Sequence, residues 1–248
     1  MTTDELIDYA KDGRLVGARL QFANFKGIVL AKANLSRVDL FMADLSGADL
    51  QLANFSGSDL SEANLSWTTL IKADLRRASL LHANLQGADL SHAILDNTEM
   101  ACADLSWARL ELARMVGACL SRADFTRANM AMSNLQGANL REANLQGVDL
   151  RGANLRGSNL FRATLTNANL SEANLADANL ISANLQGADL SYADLKDAIL
   201  KDADLRCARL IWANLHGAIL SSANLTDADL RNANLKWANL DQALMSKV

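Results

Sequence analysis

From Leu15 to Met245, every fifth residue is Leu, Phe or Met, with no slip of register. Of these 47 positions, Phe occupies 25, 55 and 125, Met occupies 100, 115, 130 and 245, and Leu holds the other 40. Two residues earlier in each repeat the chain prefers Ala. From Ala18 to Ala243 that slot occurs 46 times with eight exceptions: Ile28, Val38, Ser58, Thr68, Thr98, Ser133, Val148 and Ser158. Neither regular element can use this period. In an α-helix, five steps of about 100° carry each Leu some 140° around the axis, so no apolar face forms. In a straight strand, an odd period sends successive leucines to opposite faces. A chain that bends once per repeat succeeds: Ala and Leu, two apart, share a face, and a corner follows.

The glycines mark that corner. Of 13 glycines, all except Gly13 fall two residues after a Leu-type position, as in Leu45-Ser46-Gly47-Ala48. With Leu as the first turn residue, Gly is the third, where a type II turn requires positive φ. Asn97, Asn167, Asp177, Asp197 and Asp227 take the same slot, and Asn and Asp tolerate that geometry best after Gly. The Ile28, Val38 and Val148 exceptions predict locally adjusted coils.

Segments such as Ala143-Asn144-Leu145-Gln146-Gly147 and Ala223-Asn224-Leu225-Thr226-Asp227 match the A(D/N)LXX motif, and over about residues 15–245 the chain resembles the pentapeptide-repeat family. The resemblance implies an all-β fold, a right-handed quadrilateral (four-sided) β-helix solenoid with 20 residues per coil. The periodicity alone requires corners and leaves open how many close one turn. Residues 14–248 then form one solenoid domain and residues 1–13 an amino-terminal segment. In the latter, Thr2-Thr3-Asp4-Glu5 reads as a capping box, Leu6, Tyr9 and Ala10 as an apolar stripe, and Gly13 as a helix stop. A short capping α-helix covering the first coil is expected. Only Ser246, Lys247 and Val248 follow the last repeat, whereas members of the family often dimerise through carboxyl-terminal helices.

Composition fits a core of small and medium side chains: 50% of residues are apolar, only 5% aromatic, and proline is absent. The net charge of −4 is unevenly spread. Residues 1–108 carry 9 basic and 14 acidic groups, 109–162 carry 8 and 4, and 163–248 carry 7 and 10. The acidic amino terminus is unlike a signal peptide, no apolar run approaches membrane-spanning length, and Cys102, Cys119 and Cys207 form no disulfide framework. A cytoplasmic protein is expected.

Little in the chain reads as chemistry. Stacking places His82 and His92 on opposite sides and His216 many coils away, so no metal site is expected. No nucleophile–base arrangement survives the same placement, the glycines are corners and not a phosphate cradle, and neither a catalytic site nor a cofactor is expected. Arg122, Glu142 and Arg162 share a column and read as an ion-pair stack. Two outward apolar groups stand out. Trp67 and Trp107 share a column with Gly87 between them, which predicts a notch, and Leu52, Ile71, Leu112 and Met132 lie near that corner; the group reads either as side chains packed along the corner or as a partner surface. Towards the carboxyl end, Ile199 and Ile219 share an outward column with Trp237 beside it, and Leu244 takes a slot usually held by Asn or Asp. These four read either as a contact with a second copy or as a simple exposed edge.

The expected function is a non-catalytic protein–protein interaction scaffold, with neither direct nucleic-acid binding nor membrane insertion. The family resemblance supplies an alternative, since some members imitate duplex DNA and bind type II topoisomerases such as gyrase. For that role the best acidic column is Asp49, Asp89, Asp149, Asp189 and Asp229, which Arg109 and Arg209 interrupt.

Overall fold

The computed structural model describes residues 8–10 and 12–246. Each repeat contributes one short extended side followed by one tight corner. Sides pair in parallel with sides 20 residues away, from Arg19↔Asp39 through Ile219↔Asn239, so four repeats complete one coil. At the end, β1 (Asn224–Leu225) pairs in parallel with β2 (Leu244–Met245), with Asn224 opposite Leu244. The chain is therefore a β-helix, its ladders running along the rod instead of across a flat sheet.

One repeat shows why this backbone is stable. In Ala123-Asp124-Phe125-Thr126-Arg127, the Ala123 N–H closes the preceding corner on the Leu120 carbonyl (3.2 Å). The Asp124 N–H reaches back one coil to Ala103 (2.9 Å), and the Phe125 and Arg127 N–H groups reach forward to Asn144 and Gln146 (2.7 and 3.0 Å). The fifth donor, Thr126 N–H, has no backbone partner and bonds to the Asp124 Oδ1 (2.8 Å). Buried backbone donors must be satisfied, so the recurring Asp or Asn before each Leu supplies the acceptor that the ladder omits. Ser46, Ser56, Gln136 and Ile181 are held the same way by Asp44, Asn54, Asn134 and Asn179. Asn side chains also bond along the column, as Asn64 to Asp44 (3.1 Å) and Asn214 to Asp194 (2.8 Å).

The corners have the geometry the glycines predicted. All 46 third-turn positions from Gly17 to Gln242 have positive φ, 12 of them Gly and 34 with side chains. Besides Gly, only Asn and Asp are expected in this slot from their tolerance of positive φ. The structure adds Trp67, Leu52, Lys72, Glu142 and others, because the ladder on both sides fixes the backbone whatever the side chain.

Inside, the Leu and Ala columns are fully enclosed through the middle coils, with Phe55 and Phe125 as the largest buried residues. Ser58, Thr68 and Thr98 fit the small slot by donating to the Leu-type carbonyl of their own corner at 2.6–2.7 Å. Val38 and Val148 do not disturb the register. Their ladders are continuous, and their corner bonds, 3.3 and 3.2 Å, stay intact. The predicted coil adjustment does not show in the ladder or in the corner bonds.

The expected capping helix lies mostly outside the described residues. Within them, residues 8–10 are helical, Ala10 is buried, and the Ala10 carbonyl accepts the Asn34 N–H (3.3 Å). At the opposite end, Ala228, Leu230, Ala233, Leu235, Ala238, Leu240 and Ala243 are only partly buried. Ser246 ties down the edge there, accepting the Asp227 N–H (2.7 Å) and donating to its carboxylate (2.8 Å).

Candidate functional surfaces

Because Leu and Ala point inward, everything available for recognition comes from corners and from the Asp/Asn columns. The ladder register places the six expected partner residues on two adjacent corners. Trp67 and Trp107 lie on one corner, Leu52, Ile71, Leu112 and Met132 on the next, and Thr69, Asp89, Arg109 and Asn129 form the side between. They make two groups instead of one patch. Leu52, Trp67 and Ile71 sit within one coil of 20 residues, Trp107, Leu112 and Met132 span slightly more than one, and the coil carrying Asp89 and His92 separates the two groups. Trp67 is 66% exposed, Trp107 52% and Met132 60%, whereas Ile71 is half-buried.

The predicted notch at Gly87 is not open. A Cβ there would overlap the Trp67 indole, so the ring lies across the glycine one coil on. Met132 covers Gly152 in the same manner, its Sδ 2.5 Å from where a Cβ would stand. Trp107 instead takes the guanidinium of Arg127 over its ring, at 4.9 Å. Rotamers, which a repeat pattern does not encode, decide which glycine is filled.

Between those corners, Arg109 approaches Asp89 (3.8 Å) and Glu111 (3.4 Å), and Glu111 accepts from Asn129 (2.7 Å). Farther along the same side, Arg209 approaches Asp189 (3.6 Å). The two arginines that interrupt the acidic column therefore also neutralise members of it. The expected Arg122–Glu142–Arg162 stack is only half formed. Arg122 pairs with Glu142 (2.8 Å), Arg141 joins it (3.1 Å), and Arg162 turns to the Phe161 ring (5.0 Å). The Arg122 hydrogen bond, then that of Arg141, holds the Glu142 carboxyl below its ordinary value.

At the carboxyl end Ile199 and Ile219 are bridged neighbours in one column. Trp237, 75% exposed, stands on the corner preceding that side, and Leu244 lies on the side following it. The four residues straddle the rod's edge and do not share a face. Exposed aromatics outside the expected groups include Phe22 near the amino end and Tyr192 and Trp212, the last two one coil apart on the corner that also carries Met132. The 20-residue spacing that aligned Ile199 with Ile219 would have found that pair.

One local rearrangement shows how side chains are shared between coils. Arg114 stands where an Asp or Asn would accept the Val116 N–H. The buried Asp96, one coil earlier, accepts it instead (3.0 Å) and pairs with Arg114 (2.7 Å). Among the described residues, no three His, Cys, Asp or Glu side chains gather as a metal site, and no helix is long and apolar enough to cross a membrane.

No match was found among curated proteins. Among solved structures, HetL, a pentapeptide repeat protein involved in heterocyst differentiation regulation in the cyanobacterium Nostoc sp. strain PCC 7120, is 34% identical. The match covers 99% of this chain and 97% of that one, with a TM-score of 0.43. Rfr23 from the cyanobacterium Cyanothece 51142 is 30% identical over 48% of this chain and 91% of its own, TM-score 0.37. Full-length QnrB1, a plasmid-mediated fluoroquinolone resistance protein, is 16% identical over 91% and 94% of the two chains, TM-score 0.31. The family model for pentapeptide repeats matches in eight copies that run without a gap from residues 14–51 to residues 208–246. With its five-residue repeats of side and corner, its Asx-held corners and this match along nearly its whole length, the chain belongs to the pentapeptide-repeat family.

Proposed function

We propose that this protein is a non-catalytic scaffold of the cytoplasm that recognises another protein through the sides and corners of a four-sided, right-handed rod. The domain is residues 14–248, with residues 1–13 capping the first coil. One observation carries this reading: two exposed apolar groups, around Trp67 and around Trp107, lie along the rod on either side of the coil carrying Asp89 and His92, on a convex surface over an enclosed interior. Large exposed aromatics, methionine and arginine are the residues enriched among interface anchors. A convex rod offers no enclosed cavity in which to desolvate a reacting group. The arginines at 109 and 209, paired onto Asp89 and Asp189, weigh against the DNA-mimicking, gyrase-directed alternative. The carboxyl-terminal residues Ile199, Ile219, Trp237 and Leu244 remain the surface proposed for a second copy.

The test is a pull-down comparing wild type with a Trp67→Ala/Trp107→Ala double variant. Loss of specific partners from the variant supports the reading, and identical partner sets eliminate this corner as the recognition surface. A supercoiling assay separates the alternative, which requires inhibition or protection of gyrase at micromolar protein. Sedimentation at high concentration tests self-association, and a strict monomer removes the second copy.

A further inference from the structure

Diagonally across the rod from Trp67, the ladder stacks Arg37, Gly57, Arg77 and Asn97 in one corner column. Successive members stand one coil apart, about 4.8 Å. Gly57 leaves a gap between the two arginines. The Arg37 stem lies against its edge, with Cγ 3.7 Å from where a Cβ would be. Together with Ser56, Arg76 and Asp96, these residues line an open groove of about 710 Å³.

Gly17, Gly27, Gly47, Gly137 and Gly157 are open like Gly57, whereas several others are filled or their neighbours engaged. Trp67 covers Gly87, Met132 covers Gly152, and Asn97, Asn167 and Asp197 lean over Gly117, Gly187 and Gly217. Arg127 also passes over a glycine, Gly147, but its guanidinium lies over the Trp107 ring. Around Gly57 the balance of charge is different. Arg76 pairs with Asp74 (2.6 Å), and Asp96 pairs with Arg114 (2.7 Å) while also accepting the Val116 N–H (3.0 Å). Arg37 and Arg77 have no carboxylate partner, and the Ser56 hydroxyl has no hydrogen bond, among the described residues. Three guanidinium groups and one carboxylate line the groove, a balance of +2 in a chain of net charge −4. On the following side, Asp39 and Asp59 spend an oxygen each on the Phe41 and Ser61 N–H groups (3.2 and 2.9 Å).

We propose that this groove is an oxyanion site, in which Arg37 and Arg77 clamp a phosphoryl or carboxylate group from opposite sides of Gly57 with Ser56 donating to it. Guanidinium forks suit such groups because they donate two parallel, charge-assisted hydrogen bonds. Gly57 is the residue that makes room, and the engaged Arg76 adds field without competing for position. The site lies on a different corner from the apolar groups and stands independently of them.

Titrating the intact protein at low ionic strength with inorganic phosphate, pyrophosphate and citrate, followed by calorimetry or nuclear magnetic resonance, tests this. Arg37→Ala/Arg77→Ala should weaken binding at least about tenfold, the scale of losing charge-assisted hydrogen bonds. Arg127→Ala should leave it unchanged. Gly57→Leu keeps both cations but fills the gap with a residue that the same slot holds at 52 and 112, and it should weaken binding comparably. Preference for the phosphates assigns a phosphoryl ligand, and preference for citrate a carboxylate one. Failure of all three anions to bind, or equal binding in the double variant at an unchanged thermal midpoint, overturns the proposal.

Discussion

The middle coils and the last coil are written in the same five-residue language, yet they are different physical objects. Ala143-Asn144-Leu145 and Ala238-Asn239-Leu240 have identical sequence and the same corner bond (Ala143 N–H to Leu140 at 3.0 Å, Ala238 N–H to Leu235 at 3.0 Å). Leu145 is enclosed, whereas Leu240 is only partly buried because no coil stacks on it. A repeat in this fold thus has little stability of its own. Its core is completed by its neighbours, as in other quasi-one-dimensional proteins.

The largest test of that difference is a pair of truncations. Leu145→Ala should cost about 2–5 kcal/mol, the transfer term plus an unrelaxed cavity. Leu240→Ala should cost about 1 kcal/mol, since much of its side chain is already in water. Denaturant midpoints at equal slope measure both, and equal losses would erase the distinction between the regions. Next comes overpacking. Ala183→Leu should lower stability by about 1–3 kcal/mol because the slot beside a corner is closed by stacked coils above and below, whereas Ala238→Leu has an open side and should be near neutral. An unchanged melting midpoint for Ala183→Leu would contradict the inward assignment of that column.

A smaller effect concerns the side-chain acceptor. Asp124 Oδ1 takes the Thr126 N–H and hydroxyl (2.8 and 2.6 Å) and the Asn144 amide (3.2 Å), so Asp124→Ala should cost about 1–2 kcal/mol. Asn239 holds the Asp241 N–H (2.8 Å) on an exposed corner, where water can replace it. Asn239→Ala should cost a few tenths of that. Amide hydrogen exchange at Thr126 and Asp241 reads the pair directly, and indifference at Thr126 would sink the account.

The smallest effect is pH-dependent. Hydrogen bonds from Arg76 and Arg206 lower the carboxyls of Asp74 and Asp204 in the body of the rod, and Arg231 does the same for Asp229 near its end. A depressed folded-state value means the stabilisation is present above the ordinary aspartate value and is lost as the pH falls below it. These groups are solvent-facing, so the loss should be modest. Melting between about pH 6 and pH 3 should show Asp204→Asn losing less stability on acidification than the wild type. A rise in wild-type stability over that interval would reverse the sign.

Much of this architecture is legible in the residues, for a definable reason. The five-residue period fixes which side chains face inward, and Gly47 or Gly137 reveals where φ must be positive. The closure of a coil after 20 residues came from resemblance and is fixed in the structure by the ladder. The candidate surfaces were legible as columns only. That Trp67 lies on Gly87, that Asp96 serves Val116 because Arg114 cannot, and that Arg162 prefers Phe161 to Glu142 are choices among neighbours one coil or one corner away.

By itself, then, the sequence determined the backbone: a bend every five residues, an enclosed Leu–Ala interior and a left-handed slot at each corner. Tertiary structure alone decided which exposed side chains are spent on one another and which, such as Arg37 and Arg77, have no carboxylate partner among the described residues. The reason is physical. Backbone hydrogen bonding repeats identically in every coil and so leaves its period in the chain, whereas a corner side chain chooses its rotamer against partners some 20 residues distant in sequence.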